Sequence, residues 1–233
     1  MLNPIRAGAL FLLATGWGPA AQDPPSAPPF HTNLPLKAIS PGVFELGLVR
    51  LDQQRRAISL PAFVNMREGA LEYVLVTSNG KTHESLLRTD AEPYHIHVAM
   101  LLLGAGGAGT KAFPGDPART FPGDKITIEV VWKKKARELR GPAETFVRDL
   151  GRKSVLHRGG WVYTGSRLRD DGFAAQADGS IVSLISDPDA LVNNPRAGRE
   201  SDDNWMAKPG KLPAFNQPVQ VLITLSRQEA ATP

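Results

Sequence analysis

LEYVLVTSNGKTHESLLRTDAEPYHIHVAMLLLG, residues Leu71 to Gly104, is the stretch on which the fold turns. Two apolar, strand-like runs meet at Asn79-Gly80, and the chain then enters a long hydrophobic run. The stretch also holds three of the five histidines, His83, His95 and His97. Asn-Gly between alternating runs predicts a hairpin, because a type I′ turn needs positive φ at both central residues. That turn sets Val76 opposite His83, Val74 opposite Ser85 and Glu72 opposite Leu87 on one face. Thr77 with Thr82, Leu75 with Glu84 and Tyr73 with Leu86 fall on the other. In either orientation a titratable group, His83 or Glu84, lies among apolar neighbours, and burying it costs free energy unless it finds a partner.

Pro93 suits the first turn of a helix and Gly104 its end, so a helix is predicted from Glu92 or Pro93. Every residue from Ile96 to Leu103 except His97 is apolar, which predicts a helix buried on nearly all sides. His95 and His97 stand about 200° apart on a helix and cannot share a target. On a strand they would share a face and form an H-x-H metal pair.

The N-terminus, MLNPIRAGALFLLATGWGPAAQ, reads as a secretory signal peptide over residues 1–20. Arg6 supplies the positive region, Ala7 to Ala14 the apolar run, and Gly18-Pro19-Ala20 the small-residue cleavage site. The apolar run is too short to span a bilayer, and no other transmembrane segment is expected in the mature chain. Residues 21–42 read as a proline-rich linker. A single domain is expected over 43–226, followed by a short tail at 227–233. Removing the leader leaves roughly 210 residues, enough for one full core. Cysteine is absent, which excludes a lipoprotein anchor, thiolate metal sites and cysteine catalysis, and leaves the core to hold the fold without disulfides. The net charge of +4 is weak support for a polyanion partner.

Along the chain, Val43 to Leu51 and Ala57 to Met66 read as two strands, with Pro61 marking an edge or a bulge. Gly104 to Gly109 matches G-x-G-x-x-G, but the prolines at 114 and 117 follow where a dinucleotide fingerprint needs a helix, so a flexible loop is expected. Phe113-Pro-Gly-Asp116 recurs as Phe121-Pro-Gly-Asp124, two turns bracketing a loop. Lys125 to Trp132 is a clear strand, extended by Lys133, Lys134, Lys135, Arg137 and Arg140. That basic patch reads as a protected sheet edge in preference to a polyanion-binding surface. A short helix is expected from Gly141-Pro142 to Leu150, a strand over Trp161 to Ser166, and a hairpin of Phe173–Ala177 with Ser180–Ile185 across Asp178-Gly179. Asp187-Pro188 is expected to cap one helical turn, Asp189 to Val192. Asn193 to Gln217 reads as a long polar loop and Val219 to Leu225 as the closing strand.

Most catalytic motifs are missing. His83-Glu84 begins like H-E-x-x-H, but Leu87 stands at the second histidine position. There is no G-x-S-x-G elbow and no EF-hand spacing. Trp132, Trp161 and Trp205 do not interleave with basic residues as a nucleic-acid stacking platform would. The candidate metal ligands are His83, Glu84, His95 and His97, with Met100 as a further one. Imidazole with carboxylate suits zinc, and imidazole with thioether suits copper. The other reading makes His83 a hydrogen-bonded strand residue and His97 a satisfied core histidine, with the two meeting if the helix folds back over the hairpin.

Phe63-Val-Asn-Met-Arg-Glu-Gly-Ala-Leu-Glu-Tyr73, Lys81-Thr-His-Glu-Ser-Leu-Leu87, His97-Val-Ala-Met-Leu-Leu-Leu-Gly104, Trp161-Val-Tyr-Thr-Gly-Ser166 and Asp187-Pro-Asp-Ala-Leu191 resemble the YdjY-type domain of exported bacterial proteins. The resemblance spans Val43 to Leu225 and implies one exported domain, with no catalytic residue to carry over. The ferredoxin-like label given to some members of that family is not carried over either, since its cysteines are missing.

The expected fold is mainly β (α+β), an antiparallel sheet with two or three short helices packed on or beside it. The expected function is a non-enzymatic exported module that binds a partner protein or surface ligand. The alternative is a histidine-based zinc or copper protein, hydrolytic or redox. Protein recovered from its native host is expected to begin near Ala21 or Gln22 on N-terminal sequencing; a chain retaining Met1 would contradict the export reading.

Overall fold

The computed structural model describes residues 35–109, 111, 120–210 and 212–226. The leader, most of the proline-rich stretch, the first Phe-Pro-Gly-Asp turn and the C-terminal tail lie outside these residues. Strands β1 (Leu36–Ser40), β2 (Val43–Leu46) and β3 (Val49–Asp52) form an antiparallel meander leading into β4 (Ala57–Val64). β5 (Tyr73–Thr77), a 3-10 turn at Thr82–Glu84, β6 (Ser85–Thr89) and helix α1 (Pro93–Leu102) follow. β7 (Asp124–Lys134) and β8 (Arg137–Pro142) form a hairpin. A 3-10 turn at Ala143–Phe146 leads to β9 (Val147–Asp149) and β10 (Ser154–Val155). Then come β11 (Trp161–Tyr163), β12 (Leu168–Arg169), β13 (Gly172–Phe173) and α2 (Ala174–Asp178). β14 (Ser180–Ser183), β15 (Val192–Asn193), β16 (Trp205–Ala207) and β17 (Pro218–Leu225) complete the chain.

Eight strands close into a barrel in the order β4, β17, β7, β11, β15, β14, β5, β6 and back to β4. The β14–β15 and β5–β6 pairs are parallel and the others antiparallel. The mainly β class is as expected; the antiparallel sheet is corrected to a mixed barrel. Its wall is written in period-two alternation. Ile58 and Leu60 of β4, Ile223 and Val221 of β17, and Ile128 and Val130 of β7 lie in register across three strands. All six are buried, and each contributes roughly 1.5–3 kcal/mol by leaving water.

Closure happens on β4. Its first half pairs with β3 through Ser59, and its last residues, Phe63 and Val64, pair with Arg88 and Leu87 of β6. Pro61 falls in the gap between these partners, where a missing N–H costs nothing, and its carbonyl accepts from the Thr89 hydroxyl at 2.6 Å. The proline therefore marks neither an edge nor a bulge, but the point where one side of the strand changes partner.

Several local expectations give way to this topology. Asn79-Gly80 does turn the chain, with Gly80 N–H donating to the Thr77 carbonyl at 3.0 Å. The chain then runs back along β5 and enters β6 parallel to it, Tyr73 beside Ser85 and Leu75 beside Leu87. The predicted antiparallel pairs do not form. β6 must also pair antiparallel with β4, and the Asn65 amide anchors the returning loop at the Ser85 carbonyl, 2.8 Å away. What reads as one strand from Val43 to Leu51 is broken at Gly47 (φ +57) into β2 and β3. The end of the proline-rich stretch forms β1. In place of a hairpin across Asp178-Gly179 there is α2, ended by Gly179 in the left-handed conformation. The predicted helix to Leu150 is a 3-10 turn followed by β9, with Leu150 exposed. Asp189 to Val192 is a turn leading into β15. The Asn193–Gln217 segment contains β16 and the buried Trp205 and Arg199, and Arg196 within it is fully engaged. Arg196 pairs with Glu144 at 2.9 Å and donates to the His157 carbonyl at 2.7 Å. Gly104 to Gly109 is also held, with Gly106 N–H on Asp124 at 2.8 Å and Ala108 N–H on the Thr164 carbonyl at 2.7 Å.

Helix α1 begins at Pro93, with Glu92 as its N-cap, and Gly104 follows its end at φ +79. It is not buried all round. Ile96, Ala99 and Met100 enter the core while Leu101 is 50% exposed, so Leu101 does not join Leu87 and Val130 in the interior. Leu87→Ala is accordingly expected to cost roughly 2–5 kcal/mol in urea denaturation, and Leu101→Ala less than about 0.5 kcal/mol. Equal losses would show that α1 packs differently.

Candidate functional site

The titratable side chains that α1 carries leave it in different directions. The ring of His95 lies against the turn between β2 and β3. A side chain on Gly47 would sit 2.5 Å from His95 Nδ1, so only glycine leaves room for the ring. His95 Nε2 is 3.8 Å from the Glu92 carboxylate. His97 points to the end of β11, with Nδ1 2.7 Å from the Tyr163 hydroxyl. Its ring centroid lies 4.9 Å from that of Phe173, which Tyr94 meets edge-on from the same helix. Burial lowers the His97 pKa below its ordinary value and raises that of Tyr163. Both groups are therefore neutral near pH 7, and the pair is a hydrogen bond rather than an ion pair.

A second cluster surrounds the loop that returns from β5 to β6. Tyr73, buried on β5, donates its hydroxyl to Asp187 Oδ2 at 2.9 Å and accepts from Lys81 Nζ at 2.9 Å. The Lys81 ammonium also stands 5.0 Å from the Tyr73 ring centroid. Asp187 Oδ1 accepts the Asp189 N–H at 2.9 Å. The Asn193 amide bridges onward, donating to the Asp187 carbonyl at 2.8 Å and to Thr164 Oγ1 at 3.0 Å. Burial first, then the Asp187 carboxylate, raises the tyrosine pKa. On the same loop His83 is exposed, 3.6 Å from the Glu84 carboxylate. Glu84 in turn faces Glu72, whose pKa is raised by burial first and then by the Glu84 charge.

Of the four candidate ligands, His83 and Glu84 adjoin each other, whereas His95 and His97 each lie with a different partner elsewhere; Met100 is in the core. His97 has Tyr163, not His83, as its partner. Among the described residues no group of three or more His, Asp or Glu side chains is placed to hold a metal ion. Sequence reading missed Tyr73, Lys81 and Tyr163, which look like ordinary strand and loop residues, and took Asp187 for a helix cap.

The sequence model of the YdjY domain matches residues 49–224. The chain belongs to the YdjY domain family. No curated protein and no solved structure matches it. In this YdjY domain the matched span begins at β3 and ends within β17, so it contains the whole barrel and both clusters, and leaves out β1 and β2. No helix among the described residues is long and apolar enough to cross a membrane.

The His97 shift has a thermodynamic sign. Its folded pKa lies below the unfolded value of about 6.5, so the unfolded chain takes up a proton first as pH falls. Stability from this group is full above about 6.5 and declines below it, until the folded group also titrates. Glu72 acts oppositely, since a raised carboxyl pKa favours the folded state on acidification. The comparison that isolates His97 is therefore wild type against His97→Gln. The urea midpoint of the variant is expected to fall less between about pH 7.5 and 5.5; parallel curves would refute the buried neutral imidazole.

Proposed function

We propose that this YdjY domain is an exported, non-enzymatic module that binds a partner or surface ligand through its exterior. The observation that carries this reading is the pairing of His97 and of Tyr73 with partners inside the fold. His97 is engaged by Tyr163 at 2.7 Å, and Tyr73 is held between Lys81 and Asp187 at 2.9 Å on each side. Both are among the groups with which such a site would do acid–base or metal chemistry, and each holds one element against another. The concavity beside the β7–β8 hairpin, lined by Lys134, Lys135, Ala136, Arg137 and Leu139, lies on the outside and contains none of them.

Metal analysis of the protein purified from its native host at neutral pH separates this reading from the zinc or copper alternative. Well under one metal per chain is expected. A double-mutant cycle of His97→Gln and Tyr163→Phe should give a coupling of about 0.5–3 kcal/mol in stability. Stoichiometric zinc or copper that disappears with His97→Gln would overturn the proposal.

A further inference from the structure

The β7–β8 hairpin leaves the barrel wall. β17 accompanies β7 only as far as Val131, paired with Gln220. β8 continues beside β7 to the pair Lys134–Arg137. Beyond Val131 the hairpin is a two-stranded ribbon, touched from the wall by the Gln217 amide on the Lys133 carbonyl at 2.8 Å. Lys133, Lys134, Lys135 and Arg137 are all exposed on this ribbon. Among the described residues none of these four is in an ion pair. Arg140, farther back, is engaged by Glu138 at 3.2 Å and by Glu129 at 3.9 Å. Lys135 occupies the turn at φ +55, a left-handed position that glycine or asparagine would fill with less strain. The ribbon thus presents four cations outside any ion pair at its projecting end, with one carboxylate, Glu138, opposite Lys133.

Protection of a free sheet edge does not account for this density. β1 is the opposite edge of the same sheet. It is exposed along its whole length with one lysine, Lys37, beside Leu36 at 47% and Ile39 at 39% exposure. Among the described residues, that edge carries far less charge than the four adjacent cations of the ribbon.

We propose that the β7–β8 ribbon is an electrostatic contact arm for an anionic lipid surface. A projecting two-stranded tip can bring several of these cations onto a flat, multiply charged surface. Single-stranded nucleic acid would instead require a groove with stacking aromatics. The ribbon's one aromatic, Trp132, is turned inward, edge-on to Phe146 at 5.8 Å. A protein partner would call for a large aromatic or aliphatic anchor at the contact, and the tip offers Ala136 and, farther back, the half-buried Leu139. Each cation near an anionic bilayer contributes about 1 kcal/mol, or roughly fivefold in partitioning. The attraction should vanish toward 1 M salt, where the Debye length is about 3 Å.

The arm names a partner class for the binding-module reading and rests on it, but fails separately, since metal analysis does not report on vesicles. The test is co-sedimentation of the protein, as purified from its host, with phosphatidylcholine vesicles with or without phosphatidylglycerol. Wild type is expected to bind only the anionic vesicles. Each Lys→Gln change at 133, 134 or 135 should weaken binding about fivefold. The combined Lys133→Gln, Lys134→Gln, Lys135→Gln and Arg137→Gln variant should lose it, at an unchanged denaturation midpoint. Lys→Arg at the same three positions should retain binding, which separates charge from shape. Equal binding by wild type and the combined variant, or no binding by either, overturns the proposal. So does arm-dependent binding to short DNA without binding to vesicles.

Discussion

The two-sided pairing of β4 is the constraint from which the rest of the structure follows. One flank of the strand is occupied continuously by β17, while the other is divided between β3 and β6 at Pro61. Because Phe63 and Val64 take β6 as partner, the wall closes. The barrel then has no free edge at this seam, and its edges are confined to the meander and the β8 ribbon. Once β6 is fixed antiparallel to β4, β5 has to fit between β6 and β14. The chain accomplishes this by doubling back after Thr77 and laying β6 parallel to β5. A parallel neighbour ordinarily needs a long crossover. Here residues 78–84 suffice, stabilised by Asn65 at the far end and by the Ser78 N–H on the Thr89 carbonyl at 2.8 Å.

That geometry explains which features were readable in sequence. Strong alternation in β4, β7 and β17 reports a half-buried wall regardless of neighbours, and those strands lie where the pattern puts them. Helix α1 starts and stops at its proline and glycine because both signals act within a turn of the backbone. The Asn79-Gly80 signal is just as local, and it correctly marks a turn. It cannot say whether the strand leaving the turn pairs with the one that entered it, which depends on β4 some twenty residues earlier in the chain. Asp178-Gly179 fails for the opposite reason. A left-handed glycine serves a helix end as well as a hairpin, and Ala174-Ala175-Gln176-Ala177 favours the helix.

The candidate site was less legible because its bonds are distant in sequence. Tyr73 meets Asp187 at a separation of 114 residues, His97 meets Tyr163 at 66, and Arg196 meets Glu144 at 52. None has a spacing that a motif could express. The one local clue was that a titratable group beside Asn79-Gly80 would need a partner. Glu84 does adjoin Glu72, whereas His83 escapes to solvent because the loop bends outward instead of continuing as a strand.

The environments of Tyr73, Tyr163 and His97 run against acid–base chemistry, whereas the raised Glu72 pKa moves that group the other way. A general acid or base works best with a pKa near the operating pH. Burial and the Asp187 carboxylate move Tyr73 away from neutrality, and burial does the same to Tyr163. His97 is made a weaker base by its burial, and the ring nitrogen nearest the barrel wall is already engaged by Tyr163. Each shift stabilises the neutral form that a structural hydrogen bond needs. Lys81, Tyr73, Asp187, Asn193 and Thr164 then act as a chain of contacts fastening the loops after β5 and β14 to the wall. Outside the barrel, the β7–β8 ribbon carries four neighbouring exposed cations that make no ion pair among the described residues. On the binding-module reading we propose, recognition would rest on where the domain carries its charge and not on chemistry inside the barrel.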